Sequence, residues 1–237
     1  MVKDIIASAT GSSPTFLTLI PAENKFIFRA TTSSTTGSGV ELWISDGTDA
    51  GTVQLKDIYP GGTSSTPSSL KLLGDKVIFT AKTATAGTEL WITDGTPDGT
   101  TLLKDIRTGA ASSSIANLTV IGNKAYFSAN DGTNGTEPWV SDGTPAGTFM
   151  IKNIAPAAAN SGPLYFTDLG NGQVAFRAQD GVNGWELWRT DGTAANTYMI
   201  QNINTIASSY ISMMLFWNNK LYFNPNDGVN GYELWSY

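Results

Sequence analysis

The chain has 237 residues, a formal net charge of −6, no cysteine and no histidine. These counts exclude disulfide bonds, metal sites built from thiolates or imidazoles, and Ser-His-Asp or Cys-His catalysis. Only 14% of the residues are charged, and the Lys and Arg residues are dispersed. We therefore expect no nucleic-acid partner and, without an apolar run of about 18 residues, no membrane insertion.

The chain begins with MVKDII, which resembles the end of a repeat rather than its beginning. Similar segments recur as LKDI at residues 55–58 and 103–106, and as IKNI at residues 151–154. The tryptophan of a phrase like ELWISDGT keeps the same period, at Trp43, Trp91, Trp139, Trp188 and Trp235. A fixed period of this length indicates a repeat architecture with one structural unit per copy.

Each copy predicts four short strands. In the second copy they are SLKLL, KVIFTA, TELWIT and TTLLKDI, separated by Gly-Asp, TATAG and DGTPDG turn signals. Four strands per repeat of about 40–50 residues are typical of a β-propeller blade. The last copy stops after its third strand, and the missing fourth strand matches residues 1–6.

We therefore predict an all-β, five-bladed β-propeller of four-stranded antiparallel blades, closed by the N-terminal strand, which completes the last blade. The chain is predicted to be one domain, 1–237, and a monomer. Its repeats span residues 7–58, 59–106, 107–154, 155–203 and 204–237 together with 1–6. An open β-solenoid is the alternative, although neither end resembles a polar capping repeat.

The ELW strand has a predicted structural role. Glu and Trp lie two residues apart and face the same side, so we expect the tryptophans in the core between blades. The Asp-Gly pair of each DGT phrase predicts a turn with positive φ at glycine. Pro138 replaces leucine in the third copy, which predicts either a later start of that strand or a bulge.

No residue pattern indicates catalysis. The glutamates of the phrase recur in every copy, which favours hydrogen bonding to backbone over general acid–base work; they are Glu41, Glu89, Glu137, Glu186 and Glu233. A glycosidase with a carboxylate pair stays formally open, but no particular pair stands out. We predict that the protein is not an enzyme.

The loops between the second and third strands carry the candidate site. Three are almost alike, NDGTNGTE, QDGVNGWE and NDGVNGYE, whereas the first two copies lack the aspartate. The candidate ligand-binding residues are Asp131, Asn134, Asp180, Asn183, Trp185, Asp227, Asn230 and Tyr232. Three roles are possible for these loops: structural hairpins, calcium binding and contact with a sugar. Their spacing does not match an EF-hand, so no cofactor is predicted and metal binding stays open.

The phrases ELWISDGTDAGT, ELWITDGTPDGT and ELWRTDGT resemble the bacterial repeats named for ELWxxDGT. The resemblance covers essentially the whole chain and implies a repeat domain of a secreted or surface protein, hence an extracellular location. The ISDGTDAGT turn is similar to a degenerate Asp-box of sialidase-type propellers, which implies fold and not activity. In size the chain also resembles five-bladed lectins of the tachylectin type, without a shared motif.

Two functional hypotheses follow. The first is a non-catalytic binding module, with multivalent carbohydrate binding at polar grooves between blades. The second is a structural or protein-interaction scaffold without a small-molecule ligand, either natural or engineered. The expected partners are accordingly glycans or another protein.

Overall fold

The computed structural model describes residues 1–7, 10–32 and 37–237, which form nineteen β-strands and one short 3₁₀ turn at Pro21–Glu23. The strands fall into five antiparallel sheets. By contact density the chain divides into unit 1, Met1–Ile115 with Gly143–Pro145, and unit 2, Ala116–Asp142 with Ala146–Tyr237. No helix in the described ranges is long and apolar enough to cross a membrane.

Unit 1 contains two sheets of four strands each, paired in chain order. The first sheet consists of β1 (Thr15–Ile20), β2 (Lys25–Thr31), β3 (Val40–Ser45) and β4 (Val53–Lys56). The second consists of β5 (Ser68–Leu73), β6 (Lys76–Thr83), β7 (Gly87–Thr93) and β8 (Thr101–Lys104). Each sheet is a meander of four successive strands, which is the topology of a propeller blade.

Unit 2 contains the other three sheets. The third sheet consists of β9 (Ala116–Ile121), β10 (Lys124–Asn130), β11 (Thr136–Ser141) and β12 (Phe149–Met150). The fourth consists of β13 (Leu164–Asp168), β14 (Val174–Gln179), β15 (Trp185–Thr190) and β16 (Tyr198–Gln201). The fifth has three strands, β17 (Met214–Trp217), β18 (Lys220–Phe223) and β19 (Trp235–Ser236).

The fold is thus all-β and propeller-like, with repeated antiparallel sheets that follow the predicted copies. Residues 1–7, which include the segment predicted to be the fourth strand of the last blade, form no strand, and the fifth sheet has only three. A strand at this place would have to pair positions more than 230 residues apart in the chain. The loop of the first copy includes residues 33–36, which lie outside the described residues.

Four tryptophans of the repeated phrase are buried, and Trp235 is partly buried. Trp91 packs with Ile27 and Leu42 of the first sheet and Phe79 of the second. In unit 2, Trp188 lies in a cluster that contains residues of the third and fourth sheets. The predicted position between successive sheets is confirmed for Trp91 and Trp188, where apolar contact between sheets provides the main stabilisation.

The DGT phrases form the predicted turns. Gly47 and Gly95 have φ values of 89° and 92°, a backbone region that favours glycine. Asp46 Oδ1 accepts the backbone N–H of Thr48 at 2.9 Å and its hydroxyl at 2.7 Å. Hydrogen bonds from the Thr48 hydroxyl and N–H lower the pKa of Asp46, so the ionised carboxylate supports the turn.

Pro138 lies inside β11, paired with Ser128. In the other three complete sheets the register between the third and fourth strands shifts right after the corresponding residue, as it does between Leu42 and Trp43. The third strand therefore does not start late. Pro138 occupies the position where the other copies have a bulge. Its carbonyl accepts the N–H of Ile151 at 2.8 Å. The fourth strand of this sheet is only two residues long.

Candidate binding site

The glutamate of the repeated phrase is fully buried in four copies and bonds to backbone. Glu41 accepts the N–H of Ile58 at 3.0 Å, the N–H of Ser65 at 2.7 Å and the hydroxyl of Ser65 at 2.5 Å. Equivalent bonds to an isoleucine and a serine N–H recur at Glu89, Glu137 and Glu186. The structural interpretation is confirmed for these four residues, whereas Glu233 is exposed.

Burial raises the pKa of the four buried glutamates, and their hydrogen bonds oppose the shift. For Glu41 the pKa rises from 4.5 to about 6. A raised pKa also characterises catalytic acids. Here, however, each carboxylate is inaccessible and enclosed by its own donors, so it presents no face to a substrate.

The three predicted ligand loops share one internal geometry. Asp131 Oδ1 accepts the N–H groups of Thr133 and Asn134, both at 2.8 Å, and Oδ2 accepts the amide of Asn134 at 2.7 Å. Asp180 with Asn183, and Asp227 with Asn230, repeat this arrangement. The Asp and Asn side chains therefore close the loop on itself, as in an Asx turn.

These bonds also determine the charge of the loops. At Asp131 and Asp180 partial burial acts to raise the pKa, but the hydrogen bonds outweigh it and the pKa is lowered. At Asp227 the backbone N–H of Asn230 is the main cause of a lowered pKa. All three carboxylates are thus ionised at neutral pH while their oxygens are engaged within the loop.

Two of the loops are also tied to the end of a neighbouring strand. Asn134 Oδ1 accepts the amide of Asn153 at 3.0 Å, and Asn183 Oδ1 accepts that of Asn202 at 2.8 Å. Among the described residues, no group of three or more His, Cys, Asp or Glu side chains is positioned to hold a metal ion. The predicted Asp and Asn residues therefore define loop shape, and any ligand contact would use the surfaces that these loops present.

One such surface is a cleft of about 330 Å³ in unit 2, here called the rim cleft. It is lined by Gln179 and residues 181–184 on one side and by residues 205–208 on the other. The first group is the β14–β15 loop, and the second follows β16. The two connections therefore lie side by side in the fourth copy.

The rim cleft adjoins a cluster of aromatic side chains around Arg177. Ser208 of the cleft accepts the N–H of Trp185 at 3.0 Å. The Arg177 guanidinium carbon lies 4.7 Å from the centroid of the Trp185 ring and 5.2 Å from that of Tyr165. Burial lowers the pKa of Arg177, and the Tyr165 and Tyr232 hydroxyls act in the opposite direction.

The two predicted aromatic residues differ in their accessibility. Trp185 is partly buried, and an added Cβ on Gly162 would lie 2.6 Å from its ring, so it packs against the preceding connection. Tyr232 is 57% exposed. Tyr165, which is 40% exposed, offers an accessible aromatic face beside the Arg177 cation.

Arg177 and Tyr165 were missed by the sequence interpretation. Tyr165 lies in a bulge of β13 and has φ of 61°. The same left-handed conformation recurs at Phe16, Ser69 and Asn117 in the first strands of the other complete sheets. None of these residues is glycine, so no sequence signal marks the position. A bulge here redirects the side chain toward the second strand of the sheet. The exposed rings that result, Phe16 and Tyr165, lie over Arg29 and Arg177 respectively.

No protein-family model matches the chain, and no curated protein matches it. Among solved structures, it is similar to two structures of a puromycin hydrolase, with TM-scores of 0.58 and 0.57 and identities of 15% and 16%. The likeness covers 99% of this chain and 37% of the hydrolase chain. The chain thus spans little more than a third of the length of these structures.

Two further similar structures come from proteases. One is from a study of two prolyl endopeptidases, with a TM-score of 0.52, 11% identity and coverage of 95% of this chain and 35% of that chain. The other is the β-propeller domain of the trilobed protease from Pyrococcus furiosus, with a TM-score of 0.46, 10% identity and coverage of 94% and 68%. At such identities the likeness to the hydrolase and the endopeptidases shows the fold alone.

Proposed function

We propose that the protein is a non-catalytic binding module whose ligands are saccharides, bound at the rim cleft. The observation that carries the proposal is the hydrogen bond from the Trp185 N–H to Ser208, which links this polar cleft to the Arg177 cluster. Sugars are recognised by polar groups that bond to hydroxyls and by aromatic faces that contact the C–H side of the ring. The cleft provides the first kind of group, and exposed Tyr232 with Tyr165 provides the second.

The near-identity of three loops supports a multivalent version of this function. Residues 130–137, 179–186 and 226–233 share their sequence pattern and their internal hydrogen bonds. Repeated weak sites on one molecule raise the overall affinity for a polymer without any new contact. A surface glycan or polysaccharide is therefore a better ligand for this arrangement than a free monosaccharide.

We also propose that the architecture is a five-bladed ring closed by the N-terminal segment. Lys3 donates to the carbonyl of Asp49 at 3.0 Å. Lys56 donates to the same position of the next turn, Pro97, at 2.9 Å, and Lys104 to Pro145 at 3.5 Å. Lys3 of the N-terminal segment thus contacts the turn of the first copy in the same way that the lysine at the end of each of these fourth strands contacts the turn of the following copy.

Two more equivalences support closure. The Ser12 carbonyl accepts the N–H of Thr31 at 2.8 Å, as the Ser65 carbonyl accepts that of Lys82 at 2.9 Å. By this alignment Ile5 and Ser12 correspond to Ile58 and Ser65, the partners of Glu41. The fifth glutamate, Glu233, is exposed, and it is the residue that would accept their N–H groups in a closed ring.

A protein-interaction scaffold is the second candidate function. The observation in its favour is that the Asp and Asn side chains of the loops are engaged with one another, which stabilises the loops without any ligand. The resemblance to bacterial surface repeats is compatible with either function, and with an extracellular location of the parent protein.

Calorimetric titration with glucose, galactose and N-acetylglucosamine, followed by a glycan array, tests the saccharide proposal. We expect dissociation constants of about 1 mM for a monosaccharide and a loss of about tenfold or more in Tyr232→Ala and Thr205→Ala. Val53→Ala, an exposed apolar residue on β4, is the control and should bind normally. Absence of binding to every saccharide would leave the scaffold function.

A further inference from the structure

Unit 2 contains a second cleft, of about 460 Å³, on which the proposed saccharide function does not depend. It is lined by the β13–β14 turn with Asn171, by Gln173 and Arg189, and by Phe216, Asn219 and Tyr237 among others. We call it the hairpin cleft. It contains none of the residues of the rim cleft.

Arg189, which lines this cleft, differs in chemistry from the residues at the same position of the other copies. The equivalent residues of the first three copies are Ile44, Ile92 and Val140. In unit 1, an added Cβ on the turn glycine Gly95 would lie 3.4 Å from Cδ1 of Ile44, so the turn covers the isoleucine directly. Arg189 lines the hairpin cleft, so a cation takes the place of an apolar side chain at this position of the repeat.

The guanidinium of Arg189 is held only by neutral groups. One terminal nitrogen donates to Oε1 of Gln173, and the guanidinium carbon lies 5.4 Å from the centroid of the Tyr198 ring. Its Nε is buried and has no hydrogen-bond partner. The ion pairs found among the described residues, Lys3–Asp49 and Lys25–Glu23, do not include it. Because this Nε is shielded from the cleft, a ligand would contact the terminal nitrogens, and a cation without an ion-pair partner favours an anionic occupant there.

The surrounding residues restrict the kind of anion. The planar guanidinium matches a carboxylate, to which it can donate two parallel hydrogen bonds. The amides of Asn171, Asn219 and Gln173 can bond to hydroxyl groups, and Phe216 and Tyr237 supply apolar walls. The volume of the cleft accommodates one ring of monosaccharide size.

We propose that the hairpin cleft binds a small carboxylate-bearing polyol ring, of the uronic acid class, with its carboxylate on Arg189. The ligand carries the charge that the protein lacks at this place, and its hydroxyl groups meet the three amides. Neutral hexoses lack the carboxylate and bind more weakly, since their hydroxyl oxygens accept only uncharged hydrogen bonds from the terminal nitrogens of Arg189.

The test is calorimetric titration of the full chain with glucuronate, with glucose as the neutral analogue. Glucuronate should bind at least about tenfold more tightly than glucose, because a charge-assisted bidentate pair is lost with the neutral sugar. Arg189→Ile should abolish glucuronate binding while keeping the fold, because isoleucine occupies this position in the first two copies. Equal binding of the two sugars, no binding of glucuronate, or unchanged binding by Arg189→Ile would overturn the proposal.

A second variant tests the same site without removing the arginine. Gln173→Glu places a carboxylate next to Arg189 and should compete with the ligand, so binding is lost while the melting temperature is maintained or raised. Tyr232→Ala, in the rim cleft region, should leave glucuronate binding at the hairpin cleft unchanged. Loss of glucuronate binding in Tyr232→Ala with retention in Gln173→Glu would place the ligand at the rim cleft and overturn this proposal alone.

Discussion

The carboxylate of Glu41 accepts the backbone N–H of Ser65 across 24 residues of sequence, at 2.7 Å. Ser65 lies in the connection that leads into the second sheet, so the bond joins one repeat to the start of the next. Because both groups are fully buried, the N–H would be left unsatisfied without the carboxylate. This contact explains why the glutamate recurs in the repeated phrase.

Glu41→Gln should destabilise the protein by about 1–3 kcal/mol, because its amide NH₂ faces backbone donors that need an acceptor. The free energy of unfolding in urea measures the effect. Glu23→Gln, which removes only an exposed ion pair with Lys25 at 3.4 Å, is the matched control and should change stability by less than about 0.5 kcal/mol. Equal losses would contradict a structural role for Glu41.

Stability should rise on mild acidification. The pKa of Glu41 is about 6 in the folded chain and 4.5 ordinarily, so protonation favours the folded state. The gain is fully present below about pH 4.5, is lost as the pH rises through 6, and amounts to about 2 kcal/mol for this residue. The other three buried glutamates act in the same direction.

Unfolding free energies at about pH 5 and about pH 7.5 measure this dependence. The slope should be smaller in Glu41→Gln, which cannot titrate at that position. The turn aspartates, whose pKa values are lowered, have the opposite sign but act only below their ordinary value of 3.8. A protein that is more stable at the higher pH would contradict the assignment.

Gly99 should tolerate asparagine better than alanine. An added Cβ at Gly99 would lie 2.0 Å from the carboxylate of Asp94, which is fixed by Thr96. In the fourth copy the equivalent residue is Asn196, whose amide donates to Asp191 at 2.6 Å. We expect a loss of about 1 kcal/mol for Gly99→Ala and a smaller loss for Gly99→Asn, measured by thermal unfolding. The reverse order would show that the carboxylate moves aside freely.

Ring closure predicts a specific disulfide in a chain that has no cysteine of its own. Leu42 pairs with Lys56, and Leu90 with Lys104, in the first two sheets. Leu234 and Lys3 occupy these positions of the fifth copy. Lys3→Cys with Leu234→Cys should therefore oxidise within one chain, because antiparallel partners lie within disulfide range.

Peptide mapping under non-reducing conditions detects the cross-link in the monomer fraction. The control pair, Lys3→Cys with Val229→Cys, places the second thiol on an exposed loop and should not oxidise at a comparable rate. Absence of the first cross-link, or equal yields from both pairs, would contradict closure by the N-terminal segment.

Most of the local structure could be predicted from the sequence because it is encoded within each copy. The buried tryptophans, the DGT turns and the buried glutamates follow from patterns repeated at a constant spacing. The fifth sheet has three strands, and the proposed fourth strand would depend instead on an association between the two ends of the chain. No local pattern fixes such a contact, and the entropy of loop closure opposes it.

The residues of the two clefts were less predictable, because the residues that recur in every copy are those that form the fold. Asp131 and Asn134 were expected at a ligand, but their polar atoms close their own loop. The side chains that stand beside open space are departures from the repeat, such as Arg189 among isoleucines and valine. Comparison of the copies for charged replacements of apolar residues would have identified it.

The left-handed bulge in the first strand of four sheets has a practical consequence for protein engineering. Its backbone angle varies by only a few degrees while the side chain changes from phenyl to hydroxyl, amide and phenol, at Phe16, Ser69, Asn117 and Tyr165. The backbone conformation of the bulge is therefore independent of the chemistry of the side chain. Combinatorial libraries randomised at these four codons would diversify each side chain while the backbone of each sheet keeps its geometry.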